Sequence, residues 1–191
     1  MNMEAIQKII QSSIETKQKV LNNEALVSRI SEVVALITKA FQGGNKLLLC
    51  GNGGSASDAQ HIAAEFTGRF YKDRKPLFAE ALHVNTSYLT AVANDYSYDE
   101  VYSRLVEAKG KAGDVLVGIS TSGNSKNVVE AMQKAQELNM ITIGFTGEIG
   151  GAMKACAQYL INVPSSDTPR IQEAHILIGH IICELVEKEI F

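Results

Sequence analysis

At 191 residues, with 46% apolar and 20% charged side chains, the chain has the size and balance of one globular domain, and its 15 glycines and three prolines exclude a collagen-like or proline-rich polymer. A net charge of −3 excludes a general electrostatic footprint for nucleic acid, and no apolar run reaches the roughly 18–20 residues of a membrane span. The opening MNMEAIQKII lacks the charged-then-apolar order of an export signal, and Cys50, Cys156 and Cys183 form no CxxC pair, so they read as buried thiols of a cytoplasmic protein.

The first forty or so residues have a helical period. Ile6, Ile9, Ile10 and Ile14 fall on one stripe. Leu26, Ile30, Val33, Ile37, Ala40 and Phe41 continue the pattern in a second helix, which Gln42-Gly43-Gly44 ends with a glycine cap. From Lys46 the character changes. Lys46–Cys50, Asp114–Ile119, Met140–Phe145 and Tyr159–Val163 are short continuous apolar runs, and Glu80–Val84 is a weaker one. Continuous runs suit strands buried on both faces. Helical stretches at about 56–69, 86–107, 125–138 and 150–157 separate them, which predicts a parallel α/β sheet with helices on both sides. A last helix runs from about Pro169 to Lys188, with Asp167 or Thr168 able to cap it. Ala174, Ile176, Leu177, Ile178, Ile181, Ile182, Leu185 and Val186 surround it almost completely, so it is buried in a core or between subunits. The broad apolar stripes predict a homo-oligomer of closed symmetry, with residues 1–43 packing between copies.

Two loops stand at strand ends. Cys50-Gly51-Asn52-Gly53-Gly54-Ser55-Ala56-Ser57-Asp58 follows the first strand and opens a helix, whose N-terminal N–H groups suit an anion or a polyol. Gly51-x-Gly53-x-x-Ala56 also fits the dinucleotide fingerprint, but no acidic residue ends the second strand, and no Gly-Lys-Ser/Thr completes a P-loop. An ordinary tight turn is the bland alternative. Gly118-Ile119-Ser120-Thr121-Ser122-Gly123-Asn124-Ser125 follows another strand and opens another helix. Four hydroxyls there exceed what capping needs and suit a terminal phosphate monoester. The loop offers no lysine or carboxylate set for phosphoryl transfer, so the reading is phosphate binding without phosphate chemistry.

His61 and Glu65 are four residues apart and share a helix face. Gln172 and His180 lie on the apolar final helix, where a polar group is costly unless partnered. A surface i,i+4 pair and a hydrogen-bonded core histidine are the plain readings. Taken together beside two ligand loops, the four favour function, and they could bind Zn²⁺ although glutamine is an uncommon ligand. Arg69 can attract an anionic substrate, the remaining charges of Phe70–Lys75 read as a solvated loop, and His83 and His175 read as packing or hydrogen-bonding residues.

The loop STSGNS resembles the phosphate loop of sugar isomerase (SIS) domains. The wider set CGNGGSASDAQHIAAEFTGRF, NDYSYDEVYSR, GISTSGNSKNV and RIQEAHILIGHI, spanning almost the whole chain, is similar to the phosphoheptose isomerases. The resemblance implies a single αβα sandwich over residues 1–191 (SIS, flavodoxin-like), with a central five-stranded parallel sheet and two extra N-terminal helices. It implies aldose–ketose isomerisation of a phosphorylated seven-carbon sugar, with Glu65 and His180 as the catalytic pair. It assigns one Zn²⁺ per subunit to His61, Glu65, Gln172 and His180, and no nucleotide cofactor. It places substrate contacts at Asn52, Gly53, Gly54, Ser55, Glu65, Arg69, Asn94, Asp95, Ser120, Thr121, Ser122, Ser125 and Gln172. It further implies a homotetramer with sites at subunit interfaces, and a first step towards nucleotide-activated heptose for lipopolysaccharide or capsule. A non-catalytic relative on the same scaffold, the DnaA initiator-associating protein, is the alternative, and the presence of all four titratable or amide residues favours the enzyme.

Overall fold

A computed structural model describes residues 2–191. Helices α1 (Met3–Leu21) and α2 (Glu24–Gln42) come first, capped by the side chains of Asn2 and Asn23. Then follow β1 (Leu47–Gly51), α3 (Gly54–Thr67), β2 (Ala79–Ala81), α4 (Thr86–Asp95), α5 (Ser103–Lys109), β3 (Val115–Ile119), α6 (Lys126–Glu137), β4 (Ile141–Thr146), β5 (Tyr159–Asn162) and α7 (Thr168–Ile190). The strands form one five-stranded parallel sheet in the order β2-β1-β3-β4-β5.

The runs in β1, β3 and β4 are buried on both faces almost throughout, whereas the edge strand β5 buries only Ile161 fully and leaves Tyr159, Leu160 and Asn162 partly exposed. Leu47, Leu49, Val115, Val117, Ile143 and Phe145 point into a core shared with α2, α3 and α7. Leu48, Cys50 and Leu116 point the other way, against residues of α4, α5 and α6. The period of two thus sorts each strand between two helical layers. All three cysteines are free and buried. Burial raises each thiol, that of Cys50 to about 12, so none is a ready nucleophile.

Three expected elements differ. The stretch 86–107 is not one helix: α4 stops at Asp95, Ser97 is fully extended, and a 3₁₀ turn at Tyr98–Glu100 leads into α5. The turn lets the Tyr102 hydroxyl donate to the Gly51 carbonyl at the end of β1. The stretch 150–157 is a single 3₁₀ segment, Gly151–Ala155, entered through the left-handed Gly150. The second strand covers only Ala79–Ala81, so His83 and Val84 lie beyond it. At α7, Asp167 occupies the N-cap position but makes no side-chain cap bond, and Pro169 sits in the first turn.

Candidate active site

Gly51 and Ile119, the last residues of β1 and β3, are register partners. The two loops singled out above therefore emerge side by side at the carboxyl edge of the sheet. The strand order reverses there, and open α/β sheets bind ligands in the crevice at such a point.

The hydroxyls of the second loop converge. Ser120 Oγ lies 2.9 Å from Ser125 Oγ and 3.4 Å from Ser122 Oγ. Gly123 holds the turn at φ +68°, where a Cβ would collide with the Gly150 carbonyl oxygen. Thr121 and Ser122 open onto a cavity of about 250 Å³, whose far wall includes Ser165, Ser166 and Thr168. That wall lies just before and at the first residue of α7. In the first loop, Asn52 is locked to the second. Its Nδ2 donates to Asn127 Oδ1 (2.9 Å), and its Oδ1 accepts from Asn127 Nδ2 (3.0 Å) and the Tyr98 hydroxyl (3.1 Å). Asn127 is buried in the first turn of α6, so it couples the two loops; it and Tyr98 lie within the quoted motifs GISTSGNSKNV and NDYSYDEVYSR but were not singled out as site residues. Gly53 and Gly54 are exposed, and Ser55 is buried at the start of α3.

The titratable residues gather elsewhere. His61 and Glu65, one turn apart on α3, approach to 3.1 Å between Nε2 and Oε1. His180, from α7, presents its ring edge-on to His61 at 4.9 Å between centroids. Candidate ligand atoms of His61, Glu65 and His180 all lie within 4.8 Å of one another. Asp58 stands one turn ahead of His61, and burial raises its carboxyl while His61 pulls it down. The donor set, two imidazoles and a carboxylate, suits a divalent metal of the zinc type.

Gln172 stands at the first loop. Its amide rests on Gly54, where a Cβ would lie 2.6 Å from Gln172 Nε2. Eight residues of helix separate it from His180, about 12 Å along the axis. Asn94 Nδ2 donates to Asp95 Oδ1 at the exposed end of α4, and among the described residues neither side chain bonds another predicted site residue. Arg69 is exposed and unpaired among the described residues. Arg74, expected in a solvated loop, is instead buried and ion-paired with Glu187 at 2.8 Å. His175 is fully buried, with Nε2 3.1 Å from the Thr146 carbonyl, and burial lowers its pKa to about 4. It is the hydrogen-bonded core histidine that its setting suggested.

Residues 3–147 match the SIS domain family. A phosphoheptose isomerase from Clostridium acetobutylicum is 55% identical over 186 residues, 97% of this chain and 95% of its own length. The chain belongs to the phosphoheptose isomerase family. The solved phosphoheptose isomerase GmhA from Neisseria gonorrhoeae superposes with a TM-score of 0.91 at 45% identity, covering 97% of this chain and 98% of that one. The phosphoheptose isomerase from Francisella tularensis does so at 0.94 and 33% identity, covering 98% and 100%. These full-length likenesses agree with the parallel sheet and the paired loops, and they make this phosphoheptose isomerase family member an isomerase. Among its described residues no helix is long and apolar enough to cross a membrane.

Proposed function

We propose that the protein converts sedoheptulose 7-phosphate to D-glycero-D-manno-heptose 7-phosphate. The observation that carries this is the meeting of Glu65, His61 and His180 in a chain whose second loop gathers three serine hydroxyls. The phosphate is held by Ser120, Thr121, Ser122 and Ser125, with the α6 N-terminus adding partial positive charge. Glu65 removes a proton from C1 of the ketose, leaving an enediolate. Return of the proton to C2 gives the aldose, while His180 moves a proton between the C1 and C2 oxygens. A zinc ion held by His61, Glu65 and His180 would polarise a substrate oxygen and favour the enediolate.

Geometry adds a condition. Glu65 lies 11 residues beyond Gly54 on α3, about 16 Å along the axis, which exceeds the span of an extended seven-carbon sugar phosphate. That separation of the first loop from the acid–base group supports a reading in which a complete site takes one half from each of two copies, the phosphate loop of one facing the acid–base group of the other. Gln172, seated at Gly54, then belongs to the phosphate-binding half and approaches the other copy's three residues as the fourth ligand. Ile6, Ile9, Ile10 and Ile14 leave an exposed apolar face on α1, which suits burial in a homotetramer. Asn94, Asp95 and Arg69 are assigned to sugar contacts across the same junction. The product would feed nucleotide-activated heptose synthesis in the cytoplasm, for lipopolysaccharide or capsule. The test is turnover of sedoheptulose 7-phosphate by the purified protein, with its metal content measured before and after a chelator. Absence of turnover with zinc restored overturns the reading.

A further inference from the structure

The Glu187 carboxylate is almost wholly buried near the end of α7, two turns beyond His180. It accepts three consecutive backbone N–H groups from an irregular segment: Phe70 (3.1 Å), Tyr71 (2.8 Å) and Lys72 (2.9 Å). Its other partner is Arg74, whose Nε donates at 2.8 Å. The rest of the Arg74 guanidinium covers the end of α3. Nη2 donates to the Glu65 carbonyl at 2.9 Å and Nη1 to the Phe66 carbonyl at 2.8 Å. The folded segment presents the Phe70 ring to His180, 5.8 Å between centroids.

A buried ion pair is weak evidence for stability, because desolvation offsets most of the attraction. What this one does is directional. It fastens the helix turn that carries Glu65 to the helix that carries His180, and it sets an aromatic wall beside the imidazole. Neither charged group hydrogen-bonds the side chain of Glu65, His61 or His180; their partners are backbone groups and each other. We propose that Arg74 and Glu187 are positioning residues, a brace that holds Glu65, His61 and His180 at their mutual spacing. The inference rests on the acid–base role of that cluster. Groups that orient metal ligands from behind typically change metal affinity or activity by about 10–100-fold when lost.

The test compares E187Q, R74K and E65Q with the parent protein. Folding is followed by circular dichroism, Zn²⁺ affinity by competition with a chromophoric chelator, and kcat and KM on the phosphosugar. E187Q removes the charge and keeps an acceptor oxygen; R74K keeps the cation and loses the fork that spans the carbonyls. The expected result is at least tenfold weaker Zn²⁺ binding and at least tenfold lower kcat in a folded variant, with KM within threefold because the phosphate loop is untouched. If E187Q does not fold, R74K decides on the same readings. Any other pattern in a folded variant, or failure of both to fold, overturns the brace. Near-parental activity in E65Q would instead overturn the acid–base reading itself, so the two failures are distinguishable.

Discussion

His61 and His180 meet edge to face, 4.9 Å apart and at 75°, only because α3 and α7 pack closely at Gly179. A Cβ on Gly179 would lie 2.5 Å from Ile62 Cδ1 and 2.9 Å from its Cγ1. Gly179→Val must displace the Ile62 side chain and so disturb the α3–α7 packing beside the histidine pair. Overpacking of this kind costs about 1–3 kcal/mol. The expected outcome is a lower urea midpoint together with a lower kcat in the fraction that remains folded. An unchanged kcat at reduced stability would show that the histidine spacing does not matter to turnover.

Glu65 and His180 carry the proton transfers in the proposed mechanism. Glu65→Gln and His180→Gln keep shape and hydrogen-bonding capacity, so folding is expected to be preserved. A positioned acid or base contributes about 10²–10⁴-fold, and each variant should lose kcat in that range. Losses below about tenfold in both would remove the pair from the chemistry.

The phosphate loop should act on binding. Ser120 and Ser125 share a hydrogen bond of 2.9 Å in the free protein, so both hydroxyls are already turned towards one point. A hydrogen bond to a charged group is worth about 1.5–3 kcal/mol, which is about tenfold or more in affinity. Ser120→Ala and Ser125→Ala are each expected to raise KM by about that factor while leaving Zn²⁺ binding unchanged. Titration with inorganic phosphate, followed by thermal shift, should show the same weakening.

The sheet was legible because strands buried on both faces cannot alternate, and each apolar run stood next to a helical period. The two loops were legible because glycines and hydroxyls at strand ends have few structural uses. The relations between elements were not. Spacing alone lets Gln172 and His180 share a helix face, but the contact of Gln172 with Gly54 places its amide at the other loop. The run Arg69–Lys75 has no period that separates Arg74 from its exposed neighbours, and its partner Glu187 lies 113 residues away. The polar pair Asn94-Asp95 does mark the end of α4, but the turn that follows it goes with the tertiary bond of Tyr102 to Gly51, which no local pattern announces.

Burial gives the fold a pH dependence through His175. Desolvation lowers its pKa from the ordinary 6.5 to about 4, partly offset by the bond to Thr146. A depressed folded pKa means that the unfolded chain binds the proton first. The contribution of His175 is therefore complete above pH 6.5 and is lost as pH falls from there to about 4. The loss is on the order of 3 kcal/mol at most. Urea unfolding across that range should show the slope, and His175→Gln should flatten it while lowering stability at pH 7.5. A parental slope in the variant would assign the effect to another group.

The division of the site between copies gives the sharpest test of the assembly. Glu65→Gln disables the acid–base half, and a Ser120→Ala/Ser125→Ala chain disables the phosphate half. If one chain supplied both halves, mixing the two variants would add nothing to the sum of their own activities, since every site would still contain a damaged half. If each site takes its halves from different copies, random reassembly of equal amounts places two intact halves together in about one quarter of sites. The expected outcome, after unfolding and joint refolding and with substrate near the parental KM, is activity near that fraction of the parental rate, rising with the equality of the mixture and well above that of either protein refolded alone. Recovery confined to background would place both halves in one chain, despite the roughly 16 Å of helix between Gly54 and Glu65.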